Sequence, residues 1–165
     1  MVVSEKKDVI IDKEIPIERQ IEFLREGIVD RDLFTYKILK ERLGEKGEDI
    51  YHSIQQNLMQ KALRGLGVKV GFEELRQGAE IVDRILGYRM ERDYDQPEEF
   101  QISLSNCPYL ERSRKYGLEK EVCKFICDWQ AEQVSKTLCE MKILSKIGEG
   151  GEKCTFRFRN IIGNP

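Results

Sequence analysis

All five cysteines of the chain fall in its last third, as Cys107, Cys123, Cys127, Cys139 and Cys154. Cysteine can act as nucleophile, soft metal ligand or redox group, so its placement is the most direct pointer to chemistry. Cys107 precedes Pro108, a residue suited to a first helical turn. Its sulfur would face unsatisfied N–H donors, which favour thiolate, although Asn106 or Cys107 can also simply cap that helix. Cys123 and Cys127 are four apart, so on a helix they share one face. Two sulfurs there can ligate one ion, flank one ligand, or merely fill a helix interface. Cys154 shares a strand face with Phe156 and Phe158, which suits a core thiol as well as a pocket thiol. Cys139 projects onto the polar side of its helix and receives no role.

Other groups carry weaker signals. Asp128 projects about 100° from Cys127, on the flank of Glu121 and Glu132. That is ordinarily a solvent or salt-bridge position, from which a carboxylate can still bend to a pocket edge as a proton acceptor. His52 is the single histidine and lies beside the Ile50, Ile54, Leu58 stripe, a setting more typical of packing than of a base. Gly148-Glu149-Gly150-Gly151 lacks the Lys-Ser/Thr of a phosphate loop and precedes a strand, so it is read as a hairpin turn. Two-histidine helix motifs, Gly-x-Ser-x-Gly elbows and paired Cys-x-x-Cys units are absent from the sequence.

The elements that must position these residues follow from periodicity and turn chemistry. Residues 1–15 have no clear period and are read as a flexible arm or an added edge strand. Ile17, Ile21, Leu24 and Ile28 mark a helix weakened at Gly27, and a second runs from about Asp30 through Leu33 and Tyr36 to Gly44. A third lies between Gly47 and Gly67 on Ile50, Ile54, Leu58, Ala62 and Leu66, with Tyr51 and Leu63 widening the stripe. A fourth spans Phe72 to Leu86 and stops at Gly87. Period-two alternation from Tyr88 to Leu104, broken at Asp95-Gln96-Pro97-Glu98, predicts a hairpin. A short helix from Pro108 to Gly117 and a long one from about Leu118 to Cys139 follow. A second hairpin then joins Met141–Ile147 to Cys154–Arg159.

This order predicts an α+β fold: N-terminal helices, then a four-stranded antiparallel sheet of two hairpins with the long helix between them packed on it. Residues 16–165 read as one domain, helical over 16–87 and sheet- and cysteine-bearing over 88–160. In the long helix, Leu118, Val122, Phe125, Ile126 and Trp129 fall on one side. Cys123, Cys127, Val134, Leu138 and Met141 fall on the other. A helix apolar on both sides predicts burial between sheet and helices, or against a second copy in a homodimer.

Charged residues make up 35% of the chain, with 28 basic against 30 acidic. That balance sets up no field to recruit nucleic acid. No stretch of 18 apolar residues and no secretion-type N-terminus is present, so a membrane partner is not expected and the chain is read as cytoplasmic, with reduced thiols.

The C-terminal pattern, Phe100-Gln101-Ile102-Ser103-Leu104-Ser105-Asn106-Cys107-Pro108, Gly117, Cys127-Asp128, then Gly148 to Gly151 and Cys154-Thr155-Phe156-Arg157-Phe158, resembles the L-2-amino-thiazoline-4-carboxylic acid hydrolase-like family. The layout is similar, more loosely, to the vinyl reductase-type small-molecule-binding domain. The first resemblance implies hydrolytic opening of a cyclic amidine, a thiazoline, on a small-molecule substrate. Such hydrolysis needs an activated water or thiolate and a proton donor for the leaving heteroatom. On that reading Cys107 and Asp128 are the catalytic candidates, with Cys127 and Cys154 beside them in a cysteine-lined pocket. Arg157 is a carboxylate anchor whose strand parity points it away from Cys154. The alternative is a non-enzymatic binding domain in which Cys107, Cys123, Cys127 and Cys154 hold a thiolate-bound metal such as zinc or iron, or another cofactor.

Overall fold

The break expected near Gly27 does not occur: in the computed structural model, which describes residues 15–65 and 71–161, helix α1 runs unbroken over Ile17–Leu43. A mid-helix glycine costs about 1 kcal/mol relative to alanine. Burial of Val29, Leu33 and Tyr36 beyond it offsets that cost. The helix stops at Gly44, whose φ of 59° only glycine adopts freely and whose N–H bonds the Lys40 carbonyl. Helix α2, Glu45–Gly65, folds back along α1. Gly47 allows the close approach, because a Cβ there would overlap the Leu39 carbonyl.

The apolar stripes expected on these helices are largely turned outward. Ile17, Ile21, Leu24, Ile54 and Leu58 are exposed, while Val29, Leu33, Tyr36 and Tyr51 form the core. The large rings decide the rotation: Tyr36 stacks on Phe125 at 3.6 Å, and Tyr51 meets both edge-on. The N-terminal arm, except Ile15, and the Leu66-Gly67 end of the third expected helix lie outside the described residues.

Helix α3 has the expected bounds, Phe72–Leu86, and Gly87 follows at φ 86°. Strands β1 (Met90–Gln96), β2 (Glu99–Leu104), β3 (Glu140–Ser145) and β4 (Cys154–Arg159) form one antiparallel sheet in the order β1-β2-β4-β3. The two hairpins join where Phe100 pairs with Phe158 and Leu104 with Cys154. The face carrying Phe100, Ile102, Leu104, Cys154, Phe156 and Phe158 packs against Phe72 and Leu75 of α3. The fold is α+β, as the element order predicts.

Between the hairpins come helix α4 (Pro108–Ser113), a 3-10 turn over Arg114–Tyr116, a π-helical turn over Cys123–Asp128 and helix α5 (Trp129–Thr137). The uniform helix expected from Leu118 to Cys139 is therefore corrected. Its two-sided character holds for Leu118, Val122 and Phe125, which join the helical core, and for Val134 and Leu138, which join the sheet core, but Cys123, expected on the sheet side, packs in the helical core. Cys139, expected on a polar side, is 1% exposed in the sheet core. The helix has ended by then, so its angular projection no longer applies. Among the described residues no helix is long and apolar enough to cross a membrane.

Candidate functional site

Three pieces of local structure converge where the helical core meets the sheet core. The first is the start of α4, where Cys107 occupies the N-cap and its sulfur accepts the Leu110 N–H at 3.4 Å. The second is the π turn with Cys123 and Cys127. The third is the β3–β4 connection, in which Ile147 donates its N–H to Cys154 Sγ at 3.3 Å and the Gly148 N–H bonds Cys123. Gly148 is packed so tightly that a Cβ would lie 2.5 Å from Cys123 Sγ. Cys107, Cys123, Cys127 and Cys154 thereby come within electrostatic reach of one another. Cys139 lies apart from them, in the sheet core.

The four thiols are not equivalent. Burial pushes Cys107 up to about 11 against the opposing Leu110 N–H bond, so the thiolate expected at this helix start is disfavoured. Burial likewise raises Cys154. Cys123 moves the other way, because the Cys127 S–H donates to its sulfur and the Lys146 ammonium attracts its charge. Cys127, as donor in that bond and buried as well, is raised. Of the four thiols, Cys123 is thus the one whose ionised form its surroundings favour.

Lys146, at the end of β3, supplies the positive charge. Only 10% of its side chain is exposed, and Nζ lies 2.6 Å from Asp128 Oδ1 and 2.8 Å from Glu149 Oε1. Burial opposes its charge, but the bonds to Asp128 and Glu149 outweigh that and hold its pKa above the usual lysine value. Asp128 therefore sits at this edge of the thiol cluster, paired with lysine. A cleft of about 330 Å³ opens here, lined by Asp128, Ala131, Ile143, Leu144, Ser145, Lys146 and Glu149. The thiols contribute nothing to that lining; Lys146 is the link between cleft and sulfurs.

On the other side of Asp128 a second cleft, of about 650 Å³, runs between α2 and the π turn. His52 stands in it, stacked on Trp129 at 4.7 Å, with Nε2 3.2 Å from the Phe125 carbonyl. Arg157 sits in β4 between Phe156 and Phe158, on the face opposite Cys154 and opposite Gln101 and Lys142 in the register. Lys146, and its charge beside Cys123, were missed in the sequence reading. The one local sign of Lys146 was its position just before the turn that returns the chain to Cys154.

Among the described residues, no group of three or more His, Cys, Asp or Glu side chains is arranged to hold a metal ion. The four-thiol metal reading is accordingly not the favoured one. Compared with known proteins, the chain matches the family model described as L-2-amino-thiazoline-4-carboxylic acid hydrolase over residues 26–158, well over half its length. No curated protein matches it.

Proposed function

The chain belongs to the L-2-amino-thiazoline-4-carboxylic acid hydrolase family, and on that premise we propose that it opens a cyclic amidine by thiolate chemistry at Cys123. The observation that carries the reading is the placement of Cys123 and Cys127 on one turn with Asp128, whose carboxylate shares the Lys146 ammonium with Glu149. A thiolate attacks an amidine carbon well, and a neighbouring S–H can follow the developing charge.

Cys123 sulfur bonds the ring carbon that carries the amino group, and the C=N electron pair moves to nitrogen, which takes a proton from solvent. The tetrahedral carbon then breaks one ring bond, and the departing heteroatom is protonated by the Cys127 S–H. Water then attacks the same carbon and Cys123 leaves as thiolate; one water proton goes to Asp128 and on to Cys127, restoring its S–H, and the other returns to solvent. The net change is addition of one water and opening of the ring. A substrate carboxylate docks on Lys146 in place of Glu149, whose side chain is 62% exposed and whose ion pair is therefore easily exchanged. Cys107 and Cys154, raised by burial, stay neutral thiols near the pair.

The test is purified protein with L-2-amino-thiazoline-4-carboxylic acid, read as gain of one water by mass spectrometry. Wild type turns over. Cys123→Ser loses at least about a hundredfold in kcat, and Cys107→Ser stays within a few-fold. Full activity in Cys123→Ser, or a wild type that binds the thiazoline without opening it, sinks the proposal.

A further inference from the structure

A π turn is rare because its i→i+5 hydrogen bonds are strained, and it persists where neighbours hold it. Here the turn spans Cys123–Asp128 and so carries both thiols of the pair and the carboxylate on Lys146. At its end the Trp129 N–H is shared between the carbonyls of Ile126 and Lys124, and the Phe125 carbonyl meets His52 of α2. A carbonyl only accepts, so Nε2 carries the proton in this bond. The imidazole cannot swing freely, since it is stacked on Trp129 with 6° between the planes and edge-on to Tyr51. Trp129 is the first residue after the turn. His52 therefore grips the turn at two places, one carbonyl inside it and one ring at its exit.

We propose that His52 is a positioning residue of the thiol site: through the Phe125 carbonyl it keeps the π turn that holds Asp128 on Lys146, next to the Gly148 turn packed on Cys123. Relaxing the turn to α-helix would shift all that follows by one residue, a rotation of about 100°. That would leave Cys123 and Cys127 on one face but carry Asp128, at the end of the turn, away from Lys146. The inference deepens the thiolate reading above and rests on it for its catalytic meaning. The charged groups around the histidine are Glu48 and Asp49 from α2, Lys124 and Asp128 from the turn and Glu132 from α5. Those facing Cys123 are Lys146 and Glu149, with Cys127, Cys107 and Cys154 as further titratable neighbours.

The experiment needs no substrate. Full-length wild type, His52→Leu, His52→Asn and His52→Gln are treated with iodoacetamide from pH 5 to 9, and the rate at Cys123 is read by peptide mapping alongside each unfolding midpoint. His52→Gln keeps an N–H at the position of Nε2, whereas His52→Asn is too short to reach. In His52→Leu and His52→Asn the Cys123 rate at neutral pH should fall about tenfold and its midpoint rise by about one pH unit. His52→Gln should return to within about twofold of wild type. Unchanged Cys123 titration in His52→Leu overturns the proposal, as does a folded His52→Gln no better than His52→Asn. Should the histidine effect on labelling be found while no thiazoline is opened, the proposed reaction fails and the positioning role stands.

Discussion

Lys146 Nζ lies 2.6 Å from Asp128 Oδ1 while nine-tenths of the lysine side chain is out of water. An ammonium so placed is kept charged by its carboxylates and in turn favours charge on Cys123. Lys146→Met should therefore move the Cys123 midpoint to higher pH and reduce ring opening at neutral pH by about tenfold or more. The iodoacetamide rate at Cys123 against pH checks the shift directly. The sign is fixed by which form is favoured: a thiol depressed by folding adds stability at high pH, and loses it as pH falls through the folded value. The stability difference between wild type and Lys146→Met should accordingly shrink in acid.

Gly148→Ala tests the packing of the turn on the thiols. With 2.5 Å between the new methyl carbon and Cys123 Sγ, and Leu110 behind it at 3.6 Å, the turn must move. Overpacking of this kind costs about 1–3 kcal/mol. Urea unfolding should show that loss, and Cys123 labelling should slow because its Gly148 N–H partner is displaced.

Asp30 in α1 and Arg112 in α4 form a two-bond pair, Nε to Oδ1 at 2.7 Å and a terminal nitrogen to Oδ2 at 2.5 Å. Arg112 holds the Asp30 carboxyl down to about 2 from its ordinary 3.8. The carboxyl is depressed by folding, so its contribution is present above pH 4 and is lost as pH falls toward 2. Asp30→Asn should cost about 2 kcal/mol at pH 7, with much less cost near pH 2. Urea unfolding of wild type and variant at both pH values decides this.

Cys107 and Cys139 predict the opposite limb. Burial raises both to about 11 from an ordinary 9.0. The folded state keeps protons that the unfolded chain has released, so stability falls as pH rises from about 9 to 11, by about 1.4 kcal/mol per thiol per unit. Cys139→Val should flatten that fall while leaving ring opening unchanged, since Cys139 lies in the sheet core away from the thiol pair. Denaturant midpoints at pH 8, 9 and 10 provide the check.

Much of the fold was legible locally. The bounds of α3, the hairpin turn at Pro97, the Pro108 start of α4 and the inward face of Cys154, Phe156 and Phe158 follow from period, turn residues and parity. Such features are set by neighbours a few residues away. The helix expected to break at Gly27 shows where that logic ends: the stripe of Val29, Leu33 and Tyr36 is buried by α2 and Phe125, which no window around Gly27 contains.

The sequence by itself determined the α+β order, the crowding of the thiols into one region and the family to which the chain belongs. Only the tertiary structure decided which thiol has surroundings that favour its ionised form. Ionisation depends on partners within a few ångströms, and those of Cys123 come from another strand connection and from a turn wider than any helical wheel assumes. Lys146 is distant in sequence from Cys123, and His52 more distant still from Phe125. Contacts of that kind are made by packing the two cores together, and periodicity carries no trace of them.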